Sequence, residues 1–307
     1  MKAFASLMGL VVCTFLVGLA SARADDQPCS SSSPPHGKIA FVSARDGNPE
    51  IYSVHASGRC IFRLTNEPQN DFDPAWSPDG QRVAFVSARS GSDQLYVMNA
   101  DGSNVVQRTF SGSFTQGPDW SPDGTKIAYS TLSNGSMNLW VVGADTGGPA
   151  ETLLFETPGW DAHPAWSPDG ARLALVSDWF AYDMVYDIFL INADGSGFTA
   201  LTGDIFDFID YHNPSWSPSG EQLAVGIADR TANNDYDTTL GVMNSDGTAL
   251  TPLIPAVTWS TSSWSPDGQR IAYTSESGGV RYISSVKADG SLRRLIVRDG
   301  WDPSWRR

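Results

Sequence analysis

The sequence predicts an all-β chain: a six-bladed β-propeller with four antiparallel strands per blade, closed by a C-terminal strand that joins the N-terminal blade. Three observations carry this. The composition is poor in charge and rich in turn formers and aromatics, with 18% charged residues, 29 Gly, 19 Pro and 11 Trp in 307 residues. A tryptophan-centred string recurs at intervals of 41 to 50 residues. The two chain ends carry complementary fragments of that repeat. A period of this size in a strand-rich sequence means a propeller, because each repeat is one blade that cannot bury its faces alone.

The string reads Trp-Ser-Pro-Asp-Gly from Trp76, Trp120, Trp166 and Trp264, and Trp-Ser-Pro-Ser-Gly from Trp216. A short strand such as Pro74-Ala75-Trp76 leads into it. Ser-Pro-Asp-Gly is a tight turn: Pro presets φ at the first central position, and Gly accepts the left-handed one. An alternating strand follows, as in Val83 to Ser87 or Ile271 to Thr274. After a variable loop comes a third strand, such as Leu95 to Met98 or Ile188 to Ile191. It ends in a second hairpin signal, Asp101-Gly102, Asp194-Gly195, Asp246-Gly247 or Asp289-Gly290. A short outer strand such as Arg63-Leu64-Thr65 completes the unit. The Trp of each repeat reads as a packing residue between blades, and the Asp of Ser-Pro-Asp-Gly as a turn residue.

The first repeat, from Pro35-His36-Gly37, lacks its Trp strand. The last, Asp302 to Trp305, is a Trp strand with nothing after it. Together they make one blade, which removes the two free sheet edges an open array would expose.

Residues 1–24 read as a cleaved signal peptide: Lys2, an uncharged apolar run from Phe4 to Ala20, then Ala22-Arg23-Ala24. Residues 25–35 are a Ser/Pro-rich linker, and 36–307 the propeller. Cleavage leaves 18 Lys and Arg against 34 Asp and Glu, a net charge of −16. Such a surface disfavours nucleic acid and anionic lipid, and no membrane insertion is expected after cleavage. Cleavage also leaves Cys29 and Cys60, which are expected to pair in an exported chain. Closing that loop contributes about 3–4 kcal/mol in the chain-entropy model.

The five Trp-Ser-Pro-Asp/Ser-Gly copies and their Asp-Gly hairpins resemble the PD40 (WD40-like) repeat of the TolB-type propeller family. The resemblance covers about residues 36–307. It implies the propeller fold, without the N-terminal α/β domain that TolB carries before its propeller. The repeat also occurs in peptidase and lyase propellers, so the resemblance fixes fold better than function.

The two tight turns of each blade lie on one face and barely vary. The blade-to-blade and second-to-third-strand loops lie on the other face and differ throughout, so recognition is expected there. Aligned on their Trp, the copies place Asp73, Gly117, His163, Asn213, Thr261 and Asp302 three residues upstream, where the chain enters the innermost strand. One channel mouth is therefore expected to carry Asp71, Asp73, Asp161, His163, His212, Asn213 and Asp302, with the aromatics Trp160, Tyr211, Trp259 and Trp301. An acidic, aromatic rim suits a basic peptide, a sugar or a cation. The expectation is a non-enzymatic, monomeric, periplasmic or secreted scaffold that docks an envelope or secreted protein with a basic surface or peptide. No cofactor and no metal are expected; if a metal binds, His163 and His212 are its ligands. Asn233 to Asp237 reads as a solvated turn rather than a Ca²⁺ loop. The alternatives are a metal-dependent polysaccharide lyase or hydrolase at the same mouth, or a sugar-binding module. No nucleophile elbow, zincin motif or phosphate loop is present.

Overall fold

A computed structural model describes residues 38–148, 150–179, 185–203, 209–229, 238–257 and 261–306. The expected signal peptide and linker, Cys29, Trp259 and the segment Asn233 to Asp237 lie outside them.

Blade 1 contains β1 (Ile39–Ser43), β2 (Glu50–Val54) and β3 (Phe62–Arg63). Blade 2 is β4 (Asp71–Trp76), β5 (Arg82–Ser87), β6 (Gln94–Asn99) and β7 (Val106–Gln107). Blade 3 is β8 (Ser113–Trp120), β9 (Lys126–Ser133), β10 (Ser136–Gly143) and β11 (Thr152–Phe155). Blade 4 is β12 (Ala162–Trp166), β13 (Arg172–Ser177), β14 (Asp187–Asn192) and β15 (Thr199–Ala200). Blade 5 is β16 (Ile209–Trp216), β17 (Gln222–Asp229), β18 (Thr238–Asn244) and β19 (Thr251–Val257). Blade 6 is β20 (Ser263–Trp264), β21 (Arg270–Ser277), β22 (Val280–Lys287) and β23 (Arg294–Arg298). The last strand, β24 (Trp301–Trp305), pairs with β1 and completes blade 1. All ladders are antiparallel, and one ladder pair, Val257 with Ser275, runs between blades 5 and 6.

The ring closes as the chain ends predict. Ile39 pairs with Trp305, Ala40 with Ser304 and Val42 with Trp301. The Arg306 N–H donates to the Lys38 carbonyl at 2.7 Å. Apolar side chains gather into six clusters, each shared by two neighbouring blades. Trp76 of blade 2 packs on Ala40, Val42 and Ile51 of blade 1, and Trp166 of blade 4 packs on Ala128 and Leu139 of blade 3. Trp305 seals the remaining interface among Ile39 and Phe41 of blade 1 and Ala272, Ile283 and Val297 of blade 6. The repeat tryptophans are thus the mortar between blades. Each meets the residue just before the preceding blade's Trp in one of two ways. The Nε1 of Trp120, Trp216 and Trp264 donates to the carbonyl of Ala75, Ala165 and Ser215 at 3.0–3.1 Å. For Trp166, Trp305 and Trp76 it is the backbone N–H that donates, to the side chains of Asp119, Ser263 and Ser304.

The turns explain their residues. Ser77 Oγ accepts the Arg82 N–H at 2.9 Å and donates to Asp79 Oδ1 at 2.6 Å, and Asp79 accepts the Gln81 N–H at 3.0 Å. The same bonds recur around Ser121, Ser167 and Ser265. They hold Asp123, Asp169 and Asp267 below the usual carboxylate range, chiefly through the serine hydroxyl. In blade 5, Ser219 replaces the Asp and its contact with Ser217 lengthens to 3.2 Å. The Asp-Gly hairpins need glycine for a second reason besides φ. A Cβ on Gly102, Gly195 or Gly247 would lie 2.2–2.3 Å from the carbonyl oxygen of Leu64, Leu154 or Leu201 in the preceding blade.

A third repeated lock joins the third strand to the segment after the outer strand. The Oγ1 of Thr65, Thr109 and Thr202 accepts the N–H of Ile51, Leu95 and Ile188, each at 2.9 Å. The same hydroxyls donate to the buried Glu50 and Gln94 and the partly buried Asp187 at 2.5–2.9 Å.

Candidate functional site

The inner strands line an axial channel, and one feature shapes its wall. Asp73, Gly117, His163, Asn213 and Asp302 all have φ between 47° and 58°. Each is followed by proline, which cannot donate to a ladder. The strand register slips across this site, between Phe72 and Ala75, Gln116 and Asp119, Ala162 and Ala165, and His212 and Ser215. This is a bulge repeated around the ring. Asp, Asn, His and Gly share the position because they are the residues that enter the left-handed region most readily. Asp73, Gly117, His163 and Asn213 line the channel as a consequence.

The channel, ≈ 790 Å³ counting the space open to solvent at its ends, is lined by Asp73, Asp119, His163, Asn213 and Thr261 among others. Its acidic focus is Asp73. Asp73 Oδ2 accepts the Gly117 N–H at 2.9 Å. Burial first, and then the charge of Asp73, push Asp93 above the usual carboxylate range. The same two causes push Asp302 up to about 7, against the opposing pull of the Thr261 N–H and of Arg281. His163 is lowered by burial, and Asp73 opposes that shift. Gly117 leaves room for it: a Cβ there would lie 3.0 Å from His163 Nδ1.

The structure brings only part of the expected rim together. Asp73, His163 and Asn213 line the channel, and Asp302 sits at the equivalent position on β24. Asp71 does not present its charge: it is fully buried and accepts two bonds from Arg89, at 2.8 and 3.1 Å. Asp161 is also fully buried, and accepts from the Thr157 N–H, Thr157 Oγ1 and Ser177 Oγ. Tyr211 belongs to the apolar cluster between blades 4 and 5. His212 is buried, with its ring 5.8 Å from that of Tyr186, so it does not share the space into which His163 projects. Among the described residues no group of three His, Cys, Asp or Glu is placed to hold a metal ion. Trp301 lies under the Arg281 guanidinium, 5.0 Å from its ring centre. Trp160 stands off the axis, in a groove with Trp179.

Two mouth residues escape a reading confined to positions three to five before the Trp. Asp119 is the one acid among the small residues just before the Trp. Asp93 lies on a second-to-third-strand loop. A signal for the burial of Asp71 was also present. Ser43-Ala44-Arg45 and Ser87-Ala88-Arg89 repeat, and both arginines cap an aromatic pair, Phe41 with Tyr52 and Phe85 with Tyr96.

These features define a class: a closed six-bladed propeller with a rigid bulged channel wall and an acidic mouth. A profile of the PD40 family, the TolB beta propeller domain, matches residues 25–129 and 114–307. The chain belongs to that family. Among solved structures, TolB from Acinetobacter baumannii superposes with a TM-score of 0.76 at 20% identity, over 88% of this chain and 66% of that one. This chain thus spans just under two thirds of that protein's length. A putative TolB from Agrobacterium tumefaciens gives 0.67 at 19% identity, over 87% of this chain and 91% of that one. An oligogalacturonate lyase in complex with manganese gives 0.53 at 17% identity, over 86% and 74%. At these identities the likeness is one of fold.

Proposed function

We propose that this protein is a non-enzymatic, exported scaffold, periplasmic or secreted, that docks a partner protein on the loop-rich mouth of its channel. The partner presents a basic surface or peptide. The observation that carries this reading is the convergence of Asp73, Asp93 and Asp302 on one mouth, where the charge of Asp73 raises the cost of ionising both Asp93 and Asp302. A Lys or Arg side chain entering there relieves that repulsion. The wall is preorganised by its bulges, so little ordering entropy opposes docking. Family membership and the TolB-like fold support a binding role. The Cys29–Cys60 disulfide belongs to the same proposal, tying the linker to blade 1 in an oxidising compartment.

The test is capture from the native envelope fraction at low and high salt. Replacing Asp73, Asp93 and Asp302 together by Asn is expected to weaken capture at least ~tenfold at low salt, with the two proteins converging as salt screens the mouth. Equal affinity and equal salt dependence would remove the electrostatic mouth from the account.

A further inference from the structure

Away from the axis, blades 1, 2 and 4 carry the threonine lock, whereas Ile254 and Val297 take its place in blades 5 and 6 and blade 3 lacks it too. The register aligns Trp140 of β10 with Tyr52, Tyr96 and Phe189, and Leu153 with their outer-strand partners. Two residues before Trp140 stands Asn138, the counterpart of Glu50, Gln94 and Asp187. Two residues after Leu153, where blades 1, 2 and 4 have Thr65, Thr109 and Thr202, stands Phe155. Phe155 carries no hydroxyl and packs on Phe198 instead, with ring centres 4.7 Å apart. Asn138 is therefore 2% exposed and its Oδ1 has no hydrogen-bond partner, while its Nδ2 donates to Ser133 Oγ at 3.1 Å. A buried acceptor left this way is destabilising unless a donor reaches it.

Asn138 lines a concavity of ≈ 870 Å³ with Asn134, Glu156 and Thr157. A second, of ≈ 750 Å³, adjoins it and is lined by Trp160, Asp178 and Trp179. The two share Gly135, Ser136 and Pro158, so they form one groove with a polar lobe and an aromatic lobe. Its walls are fixed. Ser136 Oγ donates to the Gly159 carbonyl, and the Trp160 N–H donates to Asp178 Oδ1 at 2.7 Å. A Cβ on Gly159 would lie 2.5 Å from Asp178 Oδ1 and 2.9 Å from the Trp179 nitrogen, so the connector is pressed against the start of the next loop. Trp179 remains 40% exposed.

We infer that this groove is a binding site for an uncharged pyranose oligosaccharide, distinct from the channel mouth. The polar lobe offers acceptors, Asn138 Oδ1 and the carboxylate of Glu156, to a ligand rich in hydroxyl or amide donors. The aromatic lobe offers indole faces to the C–H face of a sugar ring. Glu156 and Asp178 oppose an acidic sugar.

The test is calorimetric titration of the mature protein with cellotriose, maltotriose and chitotriose, with trigalacturonate as the charged comparison. At least one neutral trisaccharide binds, and trigalacturonate binds at least tenfold more weakly. Trp179→Ala, a change at an exposed side chain, weakens binding at least tenfold, as does Asn138→Ala if its melting curve shows it folded. Asp73→Asn leaves the affinity unchanged, which separates this site from the channel. Absence of binding by all three neutral sugars, preferential binding of trigalacturonate, or undiminished affinity in Trp179→Ala would each overturn the inference.

Discussion

Removal of residues 301–307 is expected to abolish cooperative folding. The deletion takes away β24, exposes the inner edge of β1 and strips Trp305 from the cluster between blades 1 and 6. It also removes Ser304, whose hydroxyl accepts the Trp76 N–H at 3.2 Å, so the damage reaches blade 2. The single change Trp305→Ala alone is expected to cost about 3–5 kcal/mol, the range for truncating a buried aromatic. That is a large fraction of the ~5–15 kcal/mol by which a domain is stable. At ~2–4 °C per kcal/mol for a chain of this size, Tm falls by about 10 °C. The truncated chain is expected to melt over a broad range, with exposed apolar surface detectable by dye binding. A sharp transition within ~2 °C of the full chain, for either protein, would mean that the ring does not depend on its clasp.

The second large effect is on pH dependence. Asp302 titrates near 7 in the folded protein and near 3.8 when exposed. The folded state therefore binds the proton more tightly over the interval between these values. Stability from this group is fully present below pH about 4, declines as pH rises through about 7, and is flat above. A shift of this size corresponds to at most about 4 kcal/mol, at 1.36 kcal/mol per pH unit. Asp302→Asn removes the decline, so the variant is expected to gain on the wild type from pH 5 to pH 8 in chemical denaturation. Parallel curves across that range would show that Asp302 ionises freely. The same ionisation has a functional side. Above pH 7 the mouth gains the negative charge of Asp302, and capture of a basic partner is expected to strengthen.

The fold was legible because the repeat is written in residues whose structural reasons are local. Ser77 and Asp79 bond within their own turn, and Gly102 needs both its φ and its missing Cβ. Trp76 packs wherever a neighbouring blade presents alanine and valine. The clasp was legible because a Trp strand without a successor and a turn without a predecessor complete each other. The site was legible only at the position three before each Trp. There a left-handed residue followed by proline turns the side chain to the channel, as Asp73, His163 and Asn213 show. One and two positions earlier the strand has not yet bulged. There Asp71, Tyr211 and His212 enter the interior rather than the mouth. The distinction depends on a register slip that spacing does not record. Nor does spacing record that Arg89, sixteen residues and one strand beyond Asp73, returns to neutralise Asp71. The blade 3 groove was hidden for another reason. Its signal is the absence of a threonine from a lock whose existence the structure first reveals.

The docking face is tested most directly by hydrogen–deuterium exchange of the protein alone and with its captured partner. The account predicts protection of the connectors and strand starts at residues 71–73, 115–117, 161–163, 209–213 and 300–302. The Ser-Pro-Asp-Gly and Asp-Gly turns on the opposite face should be unchanged. Protection confined to those turns, or to the outer strands, would contradict it.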